Sequence, residues 1–306
     1  MKILIPVGCR SDEGLSVPVR KRLGNSGYAL KLQYHDFYNA YCEVEKFILE
    51  FKPDLALLFG DRIEMCGAAA ACFHNNIPIA HVYAGTGNNT ATLDDISRHV
   101  ITLWSDIQFC ESDSAAKRVE NLLTAIGKKP NWYVVGITHL DDVAISEKYV
   151  PKEPYDLVLY NPITAYSKLK NINIMAGELN EIKELIKNSE LVYFIGSNPD
   201  PGAYFINNYS EELKLKIIAD SAYLPNLERP EFLGLLKNCS RFIGNSSSLI
   251  YEAPFFLSSQ QIISIGMRNR DRDKGPFMTD ASDRIVEVIK QWYTAKNGSK
   301  TGKSPK

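Results

Sequence analysis

Residues 52–85 read KPDLALLFGDRIEMCGAAAACFHNNIPIAHVYAG and contain two apolar runs separated by an alanine-rich stretch. The first run, Leu55–Phe59, predicts a buried strand that ends at Gly60-Asp61, and Ile77–Val82 predicts the next strand. Residues Met65–Asn75 between them have helical composition. Continuous apolar strands that alternate with helices are typical of a parallel sheet covered on both faces. This stretch therefore predicts an α/β fold.

The same alternation extends in both directions along the chain. Further strands are predicted at residues 2–7, 106–110, 132–135, 157–160, 191–195, 214–218, 241–243 and 262–265. Further helices are predicted at residues 41–51, 174–188, 231–238 and 285–293, and another opens at Ser246. We therefore predict two doubly wound α/β halves, an N-terminal domain at 1–150 and a C-terminal domain at 151–296. Residues 297–306 (NGSKTGKSPK) have the composition of a flexible tail.

Composition narrows the class of protein. The chain has 306 residues, a formal net charge of -1 and 23% charged residues, so it has no global charge that would attract nucleic acid or anionic membranes. No apolar run is long enough to span a bilayer, and the N-terminus lacks the features of a signal peptide. The six cysteines form no CxxC pair, which predicts reduced core cysteines in a cytoplasmic protein and no metal site.

The strongest local motif is GNSSSLIYEAP at residues 244–254. A strand runs into Gly244 and Asn245, and the hydroxyls of Ser246 and Ser247 then open a helix. Backbone N–H groups at a helix N-terminus form an anion site, for which a diphosphate is a suitable ligand. Glu252, one to two turns inside this helix, is placed to accept hydrogen bonds from ribose hydroxyls. An ordinary serine cap with a surface glutamate remains the alternative.

Polar residues also follow the strands of the first half. Arg10 lies in the Gly-containing turn after the first strand, and Asp61 follows the second. Residues 94–99 (DDISRH) pack two carboxylates, an arginine and His99 into one polar segment. Ligands of open parallel sheets bind beyond the carboxyl ends of the strands, so these residues are candidates for a site.

Together these motifs resemble the UDP-N-acetylglucosamine 2-epimerases, including the hydrolysing type. The resemblance runs over nearly the whole chain and rests on five segments: GDRIE (60–64), HNNIPIAHV (74–82), DDISRH (94–99), SNPDPG (197–202) and GNSSSLIYEAP (244–254). It implies a GT-B fold, in which two Rossmann-like domains face each other across a cleft that holds UDP. It assigns Arg10, Ser246, Ser247 and Glu252 to the nucleotide, with the basic loop 268–274 nearby.

The chain departs from the family pattern at positions that bear on catalysis. Tyr83 stands where the family has Glu, Asp95 where it has Glu, and Asn161 where it has His. The family pattern also has several tens of residues between the first strand and Tyr41 that this chain lacks. Epimerisation at C2 must remove a carbon-bound proton, and an asparagine cannot transfer one. Asp95 is one methylene shorter than the family Glu.

An intact nucleotide pocket with altered C2 chemistry favours a UDP-sugar glycosyltransferase that acts on an acceptor hydroxyl. In this interpretation Asp95, Asp61 or His99 is the catalytic base. Arg10, the serine-rich segment and Arg268 or Arg270 stabilise the departing diphosphate. The expected nucleotide-binding set is Arg10, Gly244, Asn245, Ser246, Ser247, Glu252, Arg268 and Arg270.

The acceptor is unknown; modified DNA carrying hydroxymethylated bases is one candidate, guided by the charged loop 268–274. The UDP-sugar is a co-substrate, and no cofactor or membrane partner is expected. A homodimer is an open expectation. Two alternatives remain: a UDP-N-acetylglucosamine 2-epimerase, hydrolysing or not, and a catalytically inactive UDP-sugar-binding protein.

Overall fold

A computed structural model of the chain describes residues 1–8, 10–87, 93–163, 168–197, 202–209, 222–225, 227–270, 272–275 and 277–298. The backbone alone is described at residues 10, 11, 93 and 168. The chain forms two compact units. The first contains Met1–Gly87, Leu93–Asp142 and the C-terminal segment from Phe277, and the second contains Val143–Pro276.

The first unit has a parallel sheet with the strand order β2-β1-β3-β4-β5-β6. Its strands are β1 (Ile3–Val7), β2 (Gly27–Lys31), β3 (Leu55–Phe59), β4 (Ile79–Val82), β5 (Ile107–Cys110) and β6 (Trp132–Val134). Its helices are α1 (Arg10–Leu23), α2 (Phe37–Phe51), α3 (Ile63–His74), α4 (Leu93–Trp104) and α5 (Asp113–Ala125). Every residue of β1, β3, β4 and β5 is buried, as predicted for strands covered on both faces.

Helix α1 and strand β2 were not predicted from the sequence. Gly14 and Pro18 interrupt the helical pattern of α1, yet Leu15, Val19 and Leu23 recur every four residues and are all buried. The apolar stripe thus forms the helix despite a proline in its interior, where a backbone hydrogen bond is lost.

The last helix of the chain belongs to the first unit, whereas the sequence-based division placed residues 151–296 in the second domain. Asp141 accepts hydrogen bonds from the backbone nitrogens of Asp280 (2.8 Å) and Ser282 (2.7 Å). These bonds cap the N-terminus of the helix Ala281–Gly298. Arg284 further donates from Nε to the Val135 carbonyl at 2.9 Å. The chain therefore returns to the first unit for its final helix.

The second unit has a parallel sheet with the order β11-β10-β7-β8-β9. Its strands are β7 (Asp156–Leu159), β8 (Val192–Ile195), β9 (Ala222–Leu224), β10 (Arg241–Gly244) and β11 (Ile262–Ser264). Its helices include α6 (Lys168–Ile186), α7 (Arg229–Asn238) and α8 (Ser248–Tyr251); the final helix of the chain, Ala281–Gly298, is α9. The strand predicted at 214–218 lies outside the described residues, as do 299–306 of the predicted tail.

Each unit has its own hydrophobic core, formed where helices pack against its parallel sheet. In the first unit, α2, α3 and α4 pack on one face of β1, β3 and β4, around Leu4, Leu58 and Met65. In the second unit, α6 packs over β7, β8 and β10 around Phe194 and Ile243. Across the described ranges, no helix combines the length and the apolar character needed to cross a membrane.

Candidate functional site

The carboxyl ends of β3 and β4 in the first unit are joined by a buried arginine. Arg98, on α4, forms an ion pair with Asp61, which follows β3. Arg98 Nη1 also donates to the carbonyl oxygen of Tyr83, which follows β4, at 3.0 Å. The Arg98 side chain is only 6% exposed and that of Asp61 is 23% exposed. We call this region, with the residues of α4 that line it, the Asp61 edge.

Two histidines belong to the Asp61 edge, and burial favours the neutral form of both. Burial lowers the pKa of His81 to about 3, and its Nε2 donates to the Gly60 carbonyl at 2.8 Å. Burial, followed by the positive charge of Arg98, also lowers the pKa of His99, while Asp95 opposes this shift. His99 Nδ1 is buried and has no hydrogen-bond partner in the described part of the chain. A neutral imidazole of this kind can accept a proton.

The three residues predicted to be catalytic therefore lie in one neighbourhood. The charge of Asp95 acts on His99, and the charges of Asp61 and Arg98 act on His81. Asp95 is 5% exposed, so its carboxylate is not an ordinary solvated residue of a first helical turn. The structure brings the three side chains together, while their catalytic roles stay predictions.

The Tyr83 hydroxyl is hydrogen-bonded to residues that follow β6. It lies 3.0 Å from Thr138 Oγ1 and 2.9 Å from His139 Nδ1, and it accepts a hydrogen bond from the Thr138 backbone nitrogen at 3.0 Å. Tyr83 is 5% exposed and has φ of +66°, a conformation that is uncommon for a side chain of this size. The phenol thus ties the end of β4 to the loop after β6.

Two buried glutamates lie near these strand ends and were not among the site residues predicted from the sequence. Glu64, the last residue of the GDRIE segment, is fully buried and accepts from Arg62 Nε at 2.7 Å. A Cβ atom added to Gly8 would lie 2.8 Å from Glu64 Cγ, so a larger residue at position 8 would displace the Glu64 side chain. Glu111, 3% exposed, directly follows β5. A charged residue immediately after an apolar strand was the available signal for Glu111.

The second unit has its own cluster of polar groups at the carboxyl ends of β7, β10 and β11, which we call the Asn245 edge. Asn245 Oδ1 accepts from the Asn161 backbone nitrogen at 2.6 Å, and Asn245 Nδ2 donates to the Asn161 carbonyl at 2.9 Å. Gly244 has φ of +148°, and a Cβ there would lie 1.9 Å from the Leu159 carbonyl oxygen. Only glycine permits this close pairing of β10 with β7.

The serine segment differs from its prediction. Helix α8 covers only Ser248–Tyr251, so it does not open at Ser246 and is a single turn. Ser246 is 5% exposed and its Oγ accepts from the Ser248 nitrogen at 3.2 Å, while Ser247 precedes the helix without a side-chain cap bond. The prediction of a helix that opens at Ser246 is therefore wrong, while the anion site assigned to this segment stays a prediction.

Glu252 follows this short helix instead of lying inside it, and it is 2% exposed. Its Oε1 accepts from Arg229 Nη2, on α7, at 3.0 Å. Burial raises the pKa of Glu252, and the Arg229 charge acts in the opposite direction. Arg229 is a partner that no sequence motif indicated.

The predicted arginines have different surroundings. Arg268 Nη1 donates to the Pro162 carbonyl at 3.1 Å, which joins the turn after β11 to the turn after β7. Arg270 is exposed, with Nη1 3.9 Å from Met267 Sδ. Arg10 is the first residue of α1, and its side chain lies outside the described residues. In the described ranges, no group of three or more His, Cys, Asp or Glu side chains could hold a metal ion.

The sequence as a whole matches one family model, described as UDP-N-acetylglucosamine 2-epimerase, over residues 33–305. The chain belongs to this epimerase family. It is 30% identical over 239 residues to the GDP/UDP-N,N'-diacetylbacillosamine 2-epimerase (hydrolyzing) of Campylobacter jejuni, covering 75% of this chain and 59% of the relative. It is 28% identical over 247 residues to the UDP-N,N'-diacetylbacillosamine 2-epimerase (hydrolyzing) of Legionella pneumophila, covering 77% and 60%. The chain thus spans about six tenths of the length of these relatives.

Two solved structures share the fold of this chain. The S. aureus MnaA–UDP co-structure superposes with a TM-score of 0.75 at 18% identity, covering 96% of this chain and 97% of the other. The Methanocaldococcus jannaschii UDP-GlcNAc 2-epimerase in complex with UDP-GlcNAc and UDP gives a TM-score of 0.71 at 20% identity, covering 95% and 100%. The predicted GT-B class with two Rossmann-like domains is confirmed.

These comparisons correct the functional interpretation. The expectation of glycosyl transfer from a UDP-sugar to an acceptor hydroxyl is wrong, because the epimerase family model covers nearly all of the chain and the reported relatives are 2-epimerases. That expectation rested on substitutions at Tyr83, Asp95 and Asn161, and three altered positions do not outweigh a match of this extent. Modified DNA was expected only as the acceptor of that transfer, so it loses its basis. The homodimer stays a prediction.

Proposed function

We propose that the chain is a sugar-nucleotide 2-epimerase of the hydrolysing type, acting on a UDP-linked 2-acetamido sugar. The observation that carries the proposal is the grouping of Asp61, Asp95 and neutral His99 around Arg98 at the carboxyl ends of β3 and β4. Family membership and the hydrolysing relatives support it, as do the family structures that contain UDP.

The reaction sets clear demands on such a site. A base removes the proton from C2, the C–H electron pair forms a double bond between C1 and C2, and UDP leaves with the electron pair of the C1–O bond. Water then adds its hydroxyl group to C1, and a proton returns to C2 from the opposite face. One proton acceptor and one proton donor are needed on different faces. His99, Asp95 and Asp61 supply candidates for both.

We assign the nucleotide to the Asn245 edge of the second unit. Ser246, Ser247 and Glu252 would contact the diphosphate and ribose, as the family resemblance implies, with Gly244 and Asn245 shaping the turn. Arg268 is held beside Asn161 and Pro162, where its charge can offset that of a diphosphate. Arg270 completes the predicted set in this unit, and the role of Arg10, in the first unit, stays a prediction. Glu252, balanced by Arg229, can accept a hydrogen bond from a ribose hydroxyl.

Product analysis with two donors tests this function. The purified chain is incubated with UDP-GlcNAc and, separately, with UDP-N,N'-diacetylbacillosamine, and UDP and free sugar are separated by chromatography. We expect equimolar UDP and C2-inverted free sugar from at least one donor without any added acceptor. Absence of both products, at enzyme concentrations comparable to substrate, would contradict the proposal.

A binding protein without turnover is the second candidate. It is favoured by Asn161, which cannot transfer a proton, and by Tyr83, whose hydroxyl is bonded to Thr138 and His139. This candidate predicts that UDP raises the melting temperature by mass action while neither donor is consumed. The same incubation therefore separates the two functions.

A further inference from the structure

Asn269, in the turn after β11, holds the turn after β10 through its side chain. Its Nδ2 donates to the Asn245 carbonyl at 3.0 Å and to the Ser246 carbonyl at 2.9 Å. Because both partners are oxygens that can only accept, the amide nitrogen must face them, and the carboxamide orientation is fixed. Both N–H groups of Asn269 are thereby used.

The other end of the same carboxamide is unsatisfied. Asn269 is 4% exposed, and Oδ1 is buried with no hydrogen-bond partner within the described ranges. Buried acceptors in native proteins are nearly always paired, and an exception needs a physical explanation. A ligand that brings a donor to Oδ1 would recover the cost of its desolvation.

The position of Asn269 in the fold points to a ligand. The ends of β7, β10 and β11 are adjacent in the sheet and are connected by the Asn161–Asn245 pair and by Arg268 at Pro162. Parallel sheets bind ligands at this edge. The side-chain bonds keep the three turns in fixed positions, so Oδ1 is a preorganised acceptor.

We propose that Asn269 Oδ1 accepts a hydrogen bond from the nucleoside part of the bound UDP-sugar, and so acts as a specificity-determining residue. This inference rests on the proposed function. Phosphate oxygens at neutral pH offer no donor, so Oδ1 does not pair with the diphosphate. The nucleoside offers three donors, namely the two ribose hydroxyls and the uracil N3–H. The recognised group is one of these, and ligand analogues distinguish them.

The test is a cycle that combines a protein variant with ligand analogues. Dissociation constants are measured calorimetrically for UDP, 2'-deoxy-UDP, 3'-deoxy-UDP and N3-methyl-UDP, using the wild-type chain and Asn269→Ala. One analogue should bind the wild type about tenfold more weakly than UDP, as expected for loss of one hydrogen bond to a buried acceptor. That difference should vanish in Asn269→Ala, since coupling appears only between groups in contact.

Control variants distinguish direct contact between Asn269 and UDP from a purely structural role of Asn269. Asn238→Ala removes a side-chain bond to Gly234 on α7 and should leave every analogue ratio unchanged. Asn269→Ser, which leaves a smaller cavity, repeats the cycle if Asn269→Ala does not fold. Equal analogue ratios in wild type and variant would overturn the proposal and leave Asn269 as a clamp for the turn. So would a wild type that binds all four ligands equally. A wild type that binds none of them would contradict the assignment of UDP to this unit as well.

Discussion

Arg98 and Asp61 form an ion pair that joins helix α4 to the end of strand β3, and the same guanidinium binds the Tyr83 carbonyl at the end of β4. The ion pair is largely shielded from solvent, because the side chain of Arg98 is only 6% exposed. Removing the carboxylate would leave a buried positive charge without compensation, which is costly. The pair therefore has a role in both stability and the geometry of the Asp61 edge.

Asp61→Asn should lower the free energy of unfolding by about 2 kcal/mol, because it leaves the buried Arg98 charge without its partner. The loss is moderate because solvent at the partly exposed Asp61 screens part of that charge. Epimerase turnover should fall at least tenfold because Arg98 and α4 lose their fixed position. Urea unfolding and UDP release measure the two effects. As a matched control, Glu120→Gln breaks the exposed Lys117–Glu120 pair and should change stability by less than about 0.5 kcal/mol. An Asp61→Asn variant as stable as the control would contradict the account.

Tyr83→Phe should affect stability and not chemistry. The variant loses the hydroxyl that accepts from the buried Thr138 nitrogen, so we expect a loss of about 1 to 2 kcal/mol. Turnover per folded molecule should stay within about threefold of wild type, because the phenol is not proposed as an acid or base. A variant of unchanged stability with abolished turnover would show that Tyr83 transfers a proton after all.

His81 predicts a specific pH dependence. Its pKa is about 3 in the folded chain, against 6.5 for an unperturbed histidine. Below pH 6.5 the unfolded state therefore binds a proton that the folded state does not, so stability falls as pH decreases towards 3. The contribution of this residue is about 1.4 kcal/mol per pH unit within that window. Above pH 6.5 His81 is unprotonated in both the folded and the unfolded state, so this loss of stability is absent.

His81→Gln tests this contribution, because glutamine can still donate to Gly60 but does not titrate. Unfolding free energies of wild type and variant, measured at intervals between pH 7.5 and pH 4.5, should converge as pH falls. Parallel curves would mean that His81 titrates alike in both states, and would contradict the burial effect.

The Arg229–Glu252 pair should control UDP affinity. Glu252→Gln removes the carboxylate that is proposed to accept from the ribose and replaces it with an amide that has one acceptor oxygen, so the UDP-induced increase in melting temperature should shrink. At a ligand concentration of 100 times Kd, the wild type should gain about 2.7 kcal/mol. Glu184→Gln, which breaks an exposed pair with Lys187, is the control and should keep the full increase. An unchanged increase in Glu252→Gln would exclude Glu252 from the nucleotide site.

Sequence patterns predicted most strands and failed for identifiable reasons. Apolar runs such as Leu55–Phe59 are decisive because a strand buried on both faces has little polar character. Helix α1 was missed because Gly14 and Pro18 mask a buried stripe that tertiary packing completes. The placement of α9 in the first unit depends on long-range bonds from Asp141 and Val135, which no local pattern reveals.

The sequence predicted which residues form the candidate site, but it did not predict the contacts that position them. Asp61 follows a strand, and Asp95 and His99 lie in one polar segment of α4, so their residue types indicated a site at the Asp61 edge. The partners that fix the site, Arg229 for Glu252 and Asn269 for the turn at Ser246, come from distant segments. The error over glycosyl transfer arose from treating single altered residues as evidence of lost chemistry.

Solvent exchange at C2 of the substrate tests the proposed epimerase function most directly. The chain is incubated in D2O with UDP-GlcNAc and UDP-N,N'-diacetylbacillosamine, and the product sugar is examined by proton NMR and mass spectrometry. Removal and return of the C2 proton predicts one deuterium at C2 of the inverted free sugar, with one UDP released per sugar. Release of UDP with the C2 proton retained, or no consumption of either donor, would contradict the account.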